Sequence, residues 1–523
     1  LEFPINQAAP TKNTIPNPRT KKMPENTSSI VSKVWSFCHV LRDGGVSYGD
    51  YLEQLTFLIF LKMAEEYRKP PYSRDIGIPE EYRWDVLKQK RGAELDTHYR
   101  NLLEKLGQMP GMLGQIFLKA QNKISDPAML YKVIDMVDKE SWVMMGVDTK
   151  GEIYEGLLQK NAEDTKSGAG QYFTPRPLIR AMVECLRPQP SKTIGDPCCG
   201  TGGFFLAAYD FLTSKQSHYQ LDKEQSRFLK DRTFGGNEIV PGTRRLALMN
   251  LFLHNIGEID GEPMISNSDA LIADPGIRYD YVLTNPPFGK KSSMTFTNNE
   301  GEQEKEDLTY NRQDFWVTTS NKQLNFVQHI HTILKAGGHA AVVLPDNVLF
   351  EGGAGETVRR KLMETTDLHT ILRLPTGIFY ANGVKANVLF FEAKAAAKEP
   401  WTKEVWIYDY RTNVHHTLKK NPLKYSDLED FISCYSPDNR HKRSETWNEG
   451  NLEGRFRRFT YEEIIARDKT SLDIFWLRDK SLADLDNLPD PDILANEIIE
   501  NIEAGLESFR EIVETLNGNE SRI

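Results

Sequence analysis

The 523-residue chain has no apolar run approaching the roughly 18–20 residues that cross a bilayer as a helix; its longest greasy stretch, residues 56–61, belongs to a helical pattern. A chain spanning a membrane as helices is thereby excluded. Cysteine is scarce: Cys38, Cys185, Cys198, Cys199 and Cys434 are odd in number and scattered apart from one adjacent pair. They make neither a disulfide framework nor a CxxC metal pattern, so a reducing, cytoplasmic setting fits best. Positive charge is short as well, with 65 Lys and Arg against 74 Asp and Glu for a net charge of -9. Gripping nucleic acid unaided over a broad face requires clustered basic residues, which leaves room only for a local DNA site. Residues 1–29 carry five prolines and no continuous apolar segment, so they read as a flexible tail and not as a signal peptide.

What is present is a chain of about three domains' length at roughly 150 residues each, with 39% apolar residues to build a core. Residues 30–165 are helical in character and form the first domain. Leu52, Leu55, Ile59, Met63 and Tyr67 make an apolar stripe at steps of three and four, and Asp50 with Glu53 reads as a capping-box start. From 166 to 480 short β-branched runs alternate with helical segments, the texture of a doubly wound α/β domain with a mostly parallel sheet. Expected strands are 193–196, 233–238, 281–284, 340–344, 370–374 and 388–391, with helices at 203–214 and 241–254. The polar stretch 288–324 reads as a mobile loop. Residues 481–523 hold a long amphipathic helix that opens at Asp490 and Pro491 and carries a stripe of Leu494, Ile498, Ile502, Leu506, Phe509, Val513 and Leu516. Such a stripe needs a partner surface.

The segment richest in chemistry is Asn285, Pro286, Pro287, Phe288, directly after an apolar strand. It should lie at the C-terminal edge of the sheet, where open α/β folds bind ligands. An exocyclic amine conjugated to a heteroaromatic ring is a poor nucleophile because its lone pair is delocalised. An Asn side-chain oxygen and a neighbouring backbone carbonyl can accept its two hydrogens and draw the nitrogen toward tetrahedral geometry, while the prolines stiffen the turn and Phe288 stacks on the ring. Positioning of this kind needs no strong base and no metal.

A second segment runs Asp196, Pro197, Cys198, Cys199, Gly200, Thr201, Gly202, Gly203, again strand, glycine turn, helix. The glycines permit positive φ and close approach of a ligand to the helix start. The lysine that a P-loop places after Gly200 is replaced by Thr201, so a triphosphate site is excluded. An acidic residue beside open glycines suits a ligand with an amino-acid moiety, Asp196 facing its ammonium. Cys198 and Cys199 read as small packing residues. Glu238 ends the next strand, where a carboxylate takes up ribose hydroxyls, and Asp269 is placed to face a purine edge. Asp346 with Glu392 and Lys394 only loosely mimics acidic nuclease spacing, and His415 and His416 read as solvated.

Taken together, QYFTPR (Gln171, Tyr172, Phe173, Thr174, Pro175, Arg176), DPCCGTGGF, Asn237 with Glu238, and NPPF resemble the S-adenosylmethionine-dependent DNA adenine-N6 methyltransferases. The blocks EGLLQK at 155–160, PGTRRLALMN at 241–250, LPDNVLFEGG at 344–353 and LPTGIFY at 374–380 are similar to the modification (M) subunit of type I restriction-modification systems. The resemblance covers the chain from about residue 30 onward. It implies that Gln171 to Arg176 and Thr201 to Gly203 contact the methionine part of S-adenosylmethionine, Glu238 its ribose and Asp269 its adenine. Asn285, Pro286 and Phe288 then hold an adenine flipped out of double-stranded DNA. It further implies a specificity (S) subunit that reads the target and is shared by two copies of this chain, and a restriction (R) subunit in the full complex. The residues alone leave two other readings open: an RNA or protein N-methyltransferase facing the same conjugated nitrogen, and a scaffold that binds the cofactor without catalysis.

Overall fold

The computed structural model describes residues 36–37, 46, 48–143, 174–214, 219–258, 261–289, 293–297, 303–307, 309–379, 384–418 and 421–479, with the single positions 495, 498, 499, 502 and 506. The helical part contains α1 (Tyr48–Arg68), α2 (Gly92–Gly107), α3 (Gly111–Phe117) and α4 (Pro127–Asp138). α1 begins two residues before Asp50, which therefore sits in the first turn and is not its cap. The stripe is also broader than its spacing suggests. Leu55, Ile59 and Met63 are buried, but so are Phe57, Leu58, Phe60 and Leu61, because α1 is packed on several sides at once. Phe57 and Phe60 meet Phe117 at centroid distances of 5.2 and 5.5 Å, and Phe60 meets Phe252 of the α/β part at 5.2 Å.

The α/β part opens with α5 (Arg176–Leu186) and β1 (Ile194–Asp196), then α6 (Gly203–Thr213), α7 (Lys223–Asp231), β2 (Phe234–Asn237), α8 (Pro241–Leu253), β3 (Ile265–Ser266) and β4 (Tyr279–Thr284). After a hairpin of β5 (Ser293–Thr297) and β6 (Gln303–Asp307) come α9 (Lys322–Ile333), β7 (Leu334–Pro345), α10 (Ala354–Thr365), β8 (Thr366–Arg373), β9 (Ala386–Ala393), β10 (Glu404–Asp409), α11 (Glu429–Tyr435) and β11 (Phe456–Thr460). Nine strands form one sheet in the order β11-β10-β8-β9-β7-β4-β1-β2-β3. The pairs β3/β2, β2/β1, β1/β4, β4/β7 and β8/β10 are parallel, whereas β9 runs antiparallel to both β7 and β8 and β11 antiparallel to β10. Tyr281, Val282, Leu283 and Thr284 of β4 are all buried, as expected of a central strand covered on both faces.

All six expected strands and both expected helices are present within a few residues. β3, β10 and β11 were not anticipated, and part of the expected 288–324 loop is the antiparallel pair β5/β6. β5 carries a short alternation, Met294 and Phe296 between polar residues, but its partner β6 is wholly polar and charged, so the pair has no matching hydrophobic signature. Glycine at 195 has a packing cause: a Cβ there would lie 2.4 Å from the Tyr279 ring. Helix starts follow local chemistry. Pro241 occupies the first turn of α8, Asp222 makes a capping box with Gln225 on α7, and Asn321 accepts from the Gln323 and Leu324 amides on α9.

The helical part is joined to the α/β part through α8. Arg245 pairs with Glu53 at 2.6 Å and donates to the Leu118 carbonyl at 2.7 Å. Arg244 donates to Gln115 at 2.8 Å. The apolar core is continuous across this junction.

Candidate active site

Three loops converge where β1, β2 and β4 end. Asp196 closes β1 and accepts the Cys198 amide at 2.9 Å, after which Gly200 (φ 53°) and Gly202 (φ 82°) turn the chain into α6. Both glycines occupy the left-handed region, which a β-carbon disfavours. Glu238, just past β2, accepts the Gly200 amide at 2.9 Å on one carboxylate oxygen and the Val240 amide at 2.8 Å on the other. The loop is braced from behind by Asn250 of α8, which donates to the Thr201 carbonyl at 2.9 Å, and from the side by Arg176, which donates to the Gly203 carbonyl at 2.7 Å.

Of these residues Arg176, Gly200, Thr201 and Gly203 line an open cleft, with Thr174, Ile179, Cys198, Cys199, Phe204 and Asn285, that takes in about 350 Å³ when the adjoining solvent is included. Asp196 is buried beneath the glycine turn. Burial pushes its carboxyl up to about 7, against the pull of the Cys198 amide on Oδ1 and of the Thr284 hydroxyl nearby; that hydroxyl is not in hydrogen-bond geometry, and Oδ2 has no partner. A buried carboxyl lacking a cation is what a ligand ammonium would satisfy. Burial also raises Glu238, opposed by the amides of Val240 and Gly200.

Asn285 is buried at the end of the β4 segment. Its Nδ2 donates to Thr174 Oγ1 at 2.9 Å, while its Oδ1 is buried with no partner. Beyond it, Gln323 of α9 donates through Nε2 to the carbonyls of Pro287 at 2.7 Å and Gly289 at 3.1 Å. Phe288 meets the Phe379 ring edge to face, centroids 5.3 Å apart. Asp269, past β3, accepts the Leu271 amide at 2.9 Å and the Tyr310 hydroxyl at 2.8 Å. The structure thus brings Thr174, Arg176, Gly200, Thr201, Gly203 and Asn285 to one cleft, with Asp196 behind it and Glu238 tied to its glycine turn. Gly202 turns toward Leu251 and Ala247 of α8, and Asp269 and Phe288 flank the cleft without lining it. Gln171, Tyr172 and Phe173 lie outside the described residues.

Several side chains here were not anticipated. Gln323 and Tyr310 stand in sequence contexts with no motif, whereas Phe379 belongs to the LPTGIFY block, whose length was the available signal. The Cys198 and Cys199 thiols are driven well above the ordinary thiol range by burial, and Cys199 Sγ lies 3.0 Å from the Asp196 carbonyl. They pack. Asp346 is paired with Arg411 and Asn387, and Glu392 with Lys394 and Arg440, which consumes the acidic pair structurally. His416 is not solvated: it is buried, with Tyr410 on Nε2 at 2.6 Å and the Asn421 carbonyl at 3.0 Å from Nδ1. Of the two, His415 is the exposed one. Among the described residues no helix is long and apolar enough to cross a membrane.

Two family models match the chain, N-6 DNA Methylase over residues 146–472 and the HsdM N-terminal domain over residues 30–137. The type I restriction enzyme StySPI methylase subunit of Salmonella potsdam is 42% identical over 507 residues, covering 90% of this chain and 92% of that protein. The EcoKI methylase subunit of Escherichia coli K12 is 40% identical over 530 residues, covering 95% and 96%. The crystal structure of the EcoKI M protein aligns over 92% of this chain and 96% of that one, with a TM-score of 0.52 and 37% identity. A chain from a structural study of type I restriction-modification assembly aligns over 95% and 99%, with a TM-score of 0.69 and 27% identity. The protein belongs to the N-6 DNA methylase family, among the methylase subunits of the type I restriction enzymes, and is an S-adenosylmethionine-dependent DNA adenine-N6 methyltransferase.

Proposed function

We propose that the cleft at the ends of β1, β2 and β4 is the methyl-transfer site and that Asn285 activates the target amine. The observation that carries this reading is the state of the Asn285 amide. Its nitrogen is engaged by Thr174 and its oxygen is buried beside the cleft without a partner. A bare acceptor held in place is what an exocyclic N–H needs. With a backbone carbonyl of the Pro286–Pro287 turn taking the second hydrogen, the amine nitrogen is drawn out of conjugation and its lone pair becomes available. Phe288 stacks on the base, which must be flipped from the duplex to arrive there.

The residues present fit the methyl donor. The orphaned Asp196 Oδ2, the positive-φ glycine turn and the strand-end carboxylate of Glu238 match an amino-acid tail and a ribose. Thr174, Pro175, Arg176, Gly200, Thr201, Gly202 and Gly203, with Gln171, Tyr172 and Phe173 of the same motif, would hold the methionine part, and Asp269 the adenine. S-adenosylmethionine, when bound, supplies an electrophilic methyl group on a sulfonium. The chain's own work is to orient the amine, stack the base and exclude water.

The proposal extends to assembly. The chain acts in the cytoplasm on double-stranded DNA, two copies sharing one specificity subunit that reads the target, with a restriction subunit joining for cleavage. The helix past Asp490 docks on that specificity subunit. Its described positions Ile498, Ile499, Ile502 and Leu506 are 49–64% exposed, which supports docking in trans over folding back onto its own domain. The test is methyl transfer from labelled cofactor to duplex DNA, with and without the specificity subunit, followed by identification of the modified base. N6-methyladenine formed only with the partner present is expected. A different modified base, or none, would overturn the reading.

A further inference from the structure

Gln323 stands in the second position of α9, 99% buried, and spends both hydrogens of its amide on the Pro287 and Gly289 carbonyls. These two carbonyls flank Phe288, one on each side. A single amide nitrogen therefore fixes the peptide plane that leads into Phe288 and the one that follows Gly289, so the short turn bearing the ring is held on both sides of it. The ring itself meets Phe379 edge to face, with centroids 5.3 Å apart. The grip is itself anchored: Asn321, the cap of α9, accepts the Gln323 amide at 3.0 Å and donates to Glu351 of the next strand-end loop at 2.7 Å.

Packing alone does not call for glutamine here. Its Oε1 is buried with no hydrogen-bond partner, an uncompensated desolvation that a methionine of similar shape would avoid. A buried amide kept at that cost is retained for what its nitrogen does. We propose that Gln323 is a positioning residue for Phe288, holding the ring in the attitude that stacks on the flipped base. This rests on the reading of Phe288 as the base-stacking residue given above.

The distinguishing experiment is a double-mutant cycle of wild type, Phe288→Ala, Gln323→Met and the double variant, each assembled with the specificity subunit. The measurements are methylation rate, affinity for the target duplex, cofactor affinity and melting temperature. Gln323→Met is expected to lower kcat/KM for DNA about tenfold to a hundredfold, as small misplacements in a reactive complex do, with cofactor affinity unchanged and the melting temperature lowered only by as much as two lost hydrogen bonds allow. In the Phe288→Ala background the same substitution is expected to cost less than about twofold, because the ring it aims is gone. Equal loss in both backgrounds, or full activity of Gln323→Met, overturns the proposal. If Phe288→Ala alone is fully active, the base-stacking reading falls and the proposal with it; an impaired Phe288→Ala beside a normal Gln323→Met removes only the proposal. Should Gln323→Met not fold, Gln323→Leu removes the two donors without burying a charge, and the cycle is decided on it by the same outcomes.

Discussion

Asn285 and Thr174, 111 residues apart in sequence, are joined by one hydrogen bond of 2.9 Å between the Asn285 Nδ2 and the Thr174 hydroxyl. The bond sets the polarity of the Asn285 amide: with the nitrogen held, the oxygen is the atom left for the substrate. Asn285→Ala is expected to abolish methylation and leave cofactor binding largely intact. Thr174→Val, which keeps the shape and removes the hydroxyl, should lower the rate about tenfold, roughly the worth of one neutral hydrogen bond, while Thr174→Ser retains most of it. Single-turnover methylation on the assembled enzyme checks all three, and EDTA should change none of the rates.

Glu238 closes the glycine turn through the Gly200 and Val240 amides, and in the proposed site its remaining lone pairs would take the ribose hydroxyls. Glu238→Ala should weaken S-adenosylmethionine by about 1–3 kcal/mol through loss of charge-assisted hydrogen bonds. Calorimetry giving equal affinity for the two proteins would remove Glu238 from the site.

The elevated Asp196 carboxyl predicts a pH dependence of definite sign. Below its ordinary 3.8 the group is protonated in folded and unfolded chains alike. Between there and about 7 only the unfolded chain ionises, so the cofactor-free protein loses stability as pH rises through this window, by about 4 kcal/mol at most. Above 7 this contribution is constant. Asp196→Asn should flatten the profile in chemical denaturation at pH 4.5, 6 and 7.5.

The same group makes cofactor affinity pH-dependent in the opposite sense. An ammonium favours the ionised carboxylate, so S-adenosylmethionine should bind more tightly as pH rises from 6 to 8, with proton release below about 7. Calorimetry in buffers of different ionisation enthalpy reads the proton directly. Binding with no proton exchange would place the ammonium elsewhere.

Removing residues 491–523 should abolish association with the specificity subunit while folding and cofactor binding persist. Size-exclusion chromatography of the mixed subunits reads the first and calorimetry the second. A truncated chain that still assembles would sink the docking assignment.

The two chemical segments were legible in the sequence because their geometry is local. A strand followed by Asp, glycines at positive φ and a helix start, or by Asn and two prolines, encodes its own turn in adjacent residues, and the strand-to-loop order places both at one sheet edge. The doubly wound alternation was legible chiefly through β4, β7, β8 and β9, whose buried residues leave apolar runs; the short β1 and β2 were legible from the motifs that follow them. What closed over those segments came from the tertiary structure alone. β3 has two residues and leaves no periodic trace, and in the β5/β6 hairpin the short alternation of β5 faces a β6 with no apolar residue. The antiparallel placement of β9 between β7 and β8 brings the loop bearing Phe379 against Phe288. Thr174 on Asn285, Gln323 on the Phe288 turn and Tyr310 on Asp269 are single polar contacts between distant segments. A hydrogen bond of that kind has no spacing along the chain; it exists only once helices and strands have packed and buried both partners together.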